Sequence, residues 1–152
     1  MDAPKTAAQP LDALAAALEQ FLSLAARPLA VTRVGRDRLE VRAAPEGDSR
    51  PLPVLIAQLV TAGARDHVRQ VDRWLGTGVE RVWLLDPSAR AVTVHRAEGS
   101  PLWYGAPSRV PLEPWWPDWG IDLAVLFAQP GGRPLVRLGG DERVPFRRRR
   151  SA

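Results

Sequence analysis

Residues Pro53 to Val60, PVLIAQLV, form an almost unbroken apolar run, and no other stretch narrows the possible folds so far. Its length suits a strand better than a helix, and an edge strand would alternate apolar with polar residues. A run that is apolar at both parities belongs to a central strand covered on both faces. Behind it, about Ala64 to Leu75 reads as a helix with Val68, Val71, Trp74 and Leu75 on its core stripe, ended by Gly76 and Gly78. Arg81 to Leu85 and Ala91 to Arg96 then read as strands around an Asp86-Pro87-Ser88-Ala89 turn.

Upstream, Leu11, Leu14, Ala15, Leu18, Phe21, Leu22 and Ala25 recur at helical spacing. Pro10 suits the first turn of such a helix and Asp12 its positive end, while Pro28 stops it. Leu29 to Val34 and Arg38 to Ala43 read as a hairpin through Gly35-Arg36-Asp37, followed by a polar loop at Pro45 to Ser49. Near the end, PWWPDWGIDLAVLF closes in a short helix with Asp122 as its N-cap. The order of elements gives an α/β fold class, in the α+β sense of a mixed sheet with flanking helices. The expected organisation is a disordered lead at 1–10, one domain at 11–128, and a Pro/Gly/Arg-rich disordered tail at 129–152 with too few apolar residues to pack.

Composition removes several function classes. The absence of cysteine excludes disulfides, thiolate zinc sites and cysteine nucleophiles. No apolar run reaches membrane-spanning length and no secretion signal opens the chain, so the expectation is a cytoplasmic protein with no membrane partner. The net charge of +4 lies in the tail: without Arg147, Arg148, Arg149 and Arg150 the basic residues fall from 21 to 17, equal to the 17 acids.

The remaining polar and aromatic features have plain readings. His67 and His95 lack a second ligand at metal spacing and read as surface or partly satisfied residues. Asp86 before Pro87 is a turn starter. Asp66, Gln70 and Arg73 share one helix face and read as solvated. Trp115, Trp116 and Trp119 have the character of base-stacking platforms, but their prolines favour a loop folded over the sheet.

GVERVWLLDPSARAVTVHR resembles the Gly-Val-x-Glu-Tyr-Trp-Leu-Val-Asp-Pro strand and hairpin of the Uma-type restriction endonuclease family, within the PD-(D/E)XK nuclease superfamily. PWWPDWGIDLAVLF is similar to that family's closing segment, PVLIAQLV to its Pro-Asp-Leu-Val-Val-Glu-Val-Leu strand, and RDHVRQVDRWLGTGV to its following helix. The resemblance runs from about Pro53 to Phe127 and implies a restriction-endonuclease-like core. It also implies Mg²⁺-dependent DNA cleavage, in which carboxylates hold the metal and a lysine stabilises the attacking hydroxide. On this alignment the aspartate becomes Val54, the strand glutamate becomes Gln58 and the helix lysine becomes Gln70. Asp37 and Asp66 are the acids left as catalytic candidates, with Asp37 weakly matched to an earlier family aspartate. Lys5, the single lysine, lies in the expected lead. The family chemistry therefore reads as lost, with no cofactor or metal expected unless the protein is active, when Mg²⁺ would be the ion.

Three functions remain open: a nuclease-fold module without catalysis, a Mg²⁺-dependent endonuclease with a rearranged ligand set built on Asp37 and Asp66, and an interaction protein acting through Arg147–Arg150. DNA is the partner the resemblance implies, and a homodimer is left open. The third reading carries its own quantitative expectation. Four phosphate contacts from the tail correspond to a salt slope of about −3.6, so affinity falls roughly a hundredfold between ~50 and ~200 mM salt, without regard to base sequence. Truncation after Phe146 should then abolish DNA binding measured by anisotropy. Salt-tolerant or sequence-dependent binding by the truncated chain would assign the contact to the folded surface instead.

Overall fold

The apolar run lies in the middle of a six-stranded sheet. The computed structural model describes residues 3–43, 51–60, 67–128 and 132–138. Helix α1 (Ala3–Gln20) and a short 3-10 turn (Leu22–Leu24) lead into β1 (Leu29–Val34), β2 (Arg38–Ala43) and β3 (Pro53–Leu59). Helix α2 (His67–Thr77) crosses to β4 (Arg81–Asp86), which continues through β5 (Ala91–Arg96) and β6 (Leu102–Gly105). A second sheet of β7 (Arg109–Pro111), β8 (Trp119–Asp122) and β9 (Leu135–Arg137) carries the short helix α3 (Leu123–Leu126) after β8.

In the large sheet, spatial order equals sequence order, and every pair is antiparallel except β3 with β4. A parallel pair needs a crossover connection, which is the role of α2. Every residue of β3 is buried, as the two-sided covering inferred from the sequence requires. On one face Leu39, Leu55, Ala57, Trp83 and Leu85 pack against Leu11, Leu14 and Leu18 of α1. On the other, Ile56 and Val82 pack against Val71 of α2, with Trp74 and Leu75 partly buried beside them. Each fully buried leucine or valine contributes on the order of 1.5–3 kcal/mol relative to exposure. This is the mixed α+β class expected from the sequence.

Several elements differ from the sequence expectation. Helix α1 starts at Ala3, inside the segment expected to be a disordered lead, so Pro10 lies within the helix and Lys5 is helical. Alanines at 3, 7 and 8 favour a helix strongly enough to extend it past the one hydrogen bond Pro10 cannot donate. Asp12 is consequently mid-helix, where it is paired with Arg33 of β1 rather than with a helix end. Helix α2 runs through Gly76 and ends at Gly78, whose φ of +115° allows Gly78 N–H to reach Leu75 O and Val79 N–H to reach Trp74 O. Val68, placed on the core stripe by periodicity, is 63% exposed, because in the first turn it lies outside the contact with Ile56 and Val82. Beyond Gly132, Leu135–Arg137 pairs with β8 despite its few apolar residues: backbone pairing and Leu138 against Gly120 hold it.

The second sheet depends on that close approach. A Cβ added at Gly120 would stand 2.8 Å from the Val110 carbonyl oxygen and 3.0 Å from Leu138, whereas at Gly76 it would meet nothing within 4 Å. Gly120→Ala should therefore lower stability by about 1–3 kcal/mol. Gly76→Ala, in an ordinary helical conformation, should raise it by about 0.4–1 kcal/mol. Thermal unfolding of the two variants checks both signs; a neutral Gly120→Ala would contradict the packing of β7, β8 and β9.

Candidate functional site

One row of cross-strand partners traverses the whole large sheet. Val34 pairs with Arg38, Arg38 with Gln58, Gln58 with Leu84, Leu84 with Thr93, and Thr93 with Trp103. Directly paired residues share a face, so all six lie on the face that α2 covers. Gln58 is therefore flanked by Arg38 on β2 and Leu84 on β4. It is only 4% exposed, and its Nε2 donates to Leu59 O at 3.1 Å.

Strand β2 puts Arg38, Glu40 and Arg42 on the same face, because period two brings every second side chain to one side. Glu40 is buried between the two guanidinium groups: Arg38 Nε stands 3.4 Å from its Oε2, and Arg42 Nη2 donates to its Oε1 at 2.5 Å. The first contact is an ion pair without hydrogen-bond alignment, since Arg38 Nε has no hydrogen-bond partner. Arg42 Nη1 donates to Pro51 O at 2.7 Å, and the Arg38 guanidinium lies 5.4 Å from the Trp74 ring centre on α2. Two positive charges thus share one buried carboxylate beside Gln58.

The sequence candidates among the described residues fall in different surroundings. Asp37 is exposed in the β1–β2 turn, but its carbonyl accepts Leu59 N–H at 2.8 Å, next to Gln58 in sequence. Val54 is buried in the α1-side cluster, and Gln70 is half-buried on α2. Asp66 and Arg147–Arg150 lie outside the described residues. Magnesium requires several oxygen ligands, and the residues at the matched positions do not fit it. Val54 has no donor atom, Gln58 brings a neutral amide, and the Glu40 carboxylate is already engaged by two arginines. Among the described residues no three His, Asp or Glu side chains group closely enough to hold a metal ion.

The plain readings of the other residues can be placed directly. Asp86 Oδ1 accepts from Ser88 N–H, the Ser88 hydroxyl and Ala89 N–H, which is a turn fastening. Trp115 and Trp116 are buried; their indoles donate to Glu80 Oε1 at 3.3 Å and to Phe21 O at 2.8 Å. Trp119 stacks on Phe21 with ring centres 6.0 Å apart. The exposed indole is Trp103 of β6, 67% accessible. The Arg38–Glu40–Arg42 group escaped notice in the sequence although Arg-Leu-Glu-Val-Arg carries its signal, alternating charge at strand period. Nothing in the sequence announced the partnership with Trp74.

No family model matches the chain, and no curated protein matches its sequence. A solved structure is similar in fold: that of a putative nuclease belonging to DUF820 from Anabaena variabilis ATCC 29413 superimposes with a TM-score of 0.57. The fold is nuclease-like. The match covers 80% of this chain and 78% of the other at 14% identity, so what the two share is architecture. Among the described residues no helix is long and apolar enough to cross a membrane.

His95 lies on β5 opposite Val82. Burial pushes its imidazole below the ordinary value, and the Asp72 carboxylate opposes that shift without cancelling it. A depressed histidine favours the neutral form in the fold. Its contribution to stability is complete above the unfolded value of about 6.5 and is lost as pH falls through that value toward the folded one. NMR titration of His95 should give a midpoint below about 6.5, and Asp72→Asn should move it lower still. A rise on Asp72→Asn would remove the assignment of that carboxylate.

Proposed function

We propose that this chain is a restriction-endonuclease-like protein that has lost metal-dependent hydrolysis and acts as a DNA-binding or structural module. The observation that carries the reading is Gln58: at the strand position where the resemblance places a metal-binding glutamate, it is buried and faced by Arg38. A guanidinium there repels a divalent cation, and a neutral amide does not offset that repulsion. The fold shared with the DUF820 protein supports the scaffold half of the proposal.

A second reading, a working Mg²⁺-dependent endonuclease, draws on one observation. The backbone of Asp37 is bonded to Leu59, so a carboxylate-bearing residue does neighbour the end of β3. Its side chain lies near Gly35 in the turn, however, with Oδ1 3.8 Å from a Cβ placed on that glycine. The two readings separate in one assay. Supercoiled plasmid incubated with the purified protein and Mg²⁺ or Mn²⁺ should remain uncut over hours. Nicking that disappears in Asp37→Ala or Asp66→Ala would overturn the loss of hydrolysis.

A further inference from the structure

We infer that the Arg38 guanidinium binds a phosphate of the DNA backbone through its terminal nitrogens, beside Gln58. The inference rests on the DNA-binding reading above and names the group that would make the contact. Glu40 and Arg42 satisfy each other closely, and the second terminal nitrogen of Arg42 is held by Pro51 O. Arg38 differs. Its Nε stands 3.4 Å from Glu40 without a hydrogen bond, and its two terminal nitrogens donate no hydrogen bond among the described residues. With two arginines against one glutamate, the group retains one positive charge.

Two features suit that charge to an anion. The Arg38 side chain is 27% accessible, open enough to be reached and covered enough for its charge to be screened less than at a free surface. Its guanidinium is seated over Trp74, so the planar fork is held before any ligand arrives and less side-chain freedom is lost on contact. Phosphate oxygens match such a fork in charge and spacing. Among the described residues, the acid nearest in sequence apart from Glu40 is Asp37 in the exposed turn, and Arg38 is otherwise faced by the neutral Gln58 and the Trp74 ring. At this end of the sheet an arginine would supply the positive charge that the matched positions cannot hold as a metal.

The experiment uses the full chain with Arg147→Ser, Arg148→Ser, Arg149→Ser and Arg150→Ser, which silences the tail, and a fluorescein-labelled duplex followed by anisotropy without divalent metal. Arg38→Gln should weaken binding about tenfold, the scale of one charge-assisted hydrogen bond, and reduce the salt slope by about one. Arg38→Lys should fall between wild type and Arg38→Gln, since it restores charge without the fork. Glu40→Gln should tighten binding, because it removes the carboxylate that competes for Arg38. A purely structural role for the group would make both Arg38→Gln and Glu40→Gln weaker. Circular dichroism at the assay temperature confirms folding; should Arg38→Gln unfold, Arg38→Lys and Glu40→Gln carry the test. Unchanged affinity on loss of Arg38, weakening in Glu40→Gln, or no DNA binding by the tail-silenced chain overturns the proposal. Metal-dependent nicking is a separate readout: it would sink the loss of hydrolysis, while the anisotropy result alone would still decide Arg38.

Discussion

The burial of β3 on both faces is the constraint around which the rest of the molecule is arranged. A strand with no solvent face must be covered twice, and the chain provides one helix for each side. Helix α1 brings Leu11, Leu14 and Leu18 to Leu55 and Ala57, while α2 brings Val71 to Ile56. The same requirement fixes the parallel β3–β4 pair, because the covering helix on the second face is also the crossover. It leaves little polarity for the strand to offer. Gln58 is the exception, and its own backbone neighbour Leu59 satisfies its amide nitrogen.

The charged side chains sit one strand outward. On β2 the alternation Arg38, Glu40, Arg42 forms a compact charge group, ordered by Trp74 on one side and Pro51 on the other. The buried Glu40 carboxylate is hydrogen-bonded by Arg42 and ion-paired with Arg38, so it does not stand alone in a poorly solvating place. Removing Arg42 would take away the hydrogen bond that holds the buried Glu40 carboxylate, whereas Arg38 adds an ion pair to it. Positive charge at this place is thus built into the sheet, which suits contact with anions and opposes divalent cations.

Much of the fold was legible because burial writes itself as periodicity. The two-parity run gave β3, and alternation with turn residues gave the β1–β2 hairpin and the β4–β5 pair. Aspartate before an apolar turn gave the α3 cap, where Asp122 Oδ1 accepts from Ala124 and Val125 N–H. Less legible were elements held by backbone pairing or by distant partners. Strand β9 has few apolar residues and exists through β8, and Val68 kept the helical spacing without the neighbour that would bury it. At the site, a resemblance singled out Gln58 and Gln70 as positions of interest. The surroundings of Gln58 were not legible, because the register that brings Arg38 opposite it depends on how strands pair across the sheet.

Sequence order equals spatial order in the large sheet, and β7, β8 and β9 repeat that arrangement. For a chain emerging from a ribosome, each strand after the first of its sheet therefore meets an edge already made. Loop closure is short at nearly every step, and its entropy grows only slowly with length. The exception is the seat of the first helix. Trp116 donates to the carbonyl of Phe21 across 95 residues, and it arrives only after all six strands of the large sheet have been made. Until then the turn after α1 lacks its indole cover, so a helix made before the large sheet is capped only after that sheet is complete.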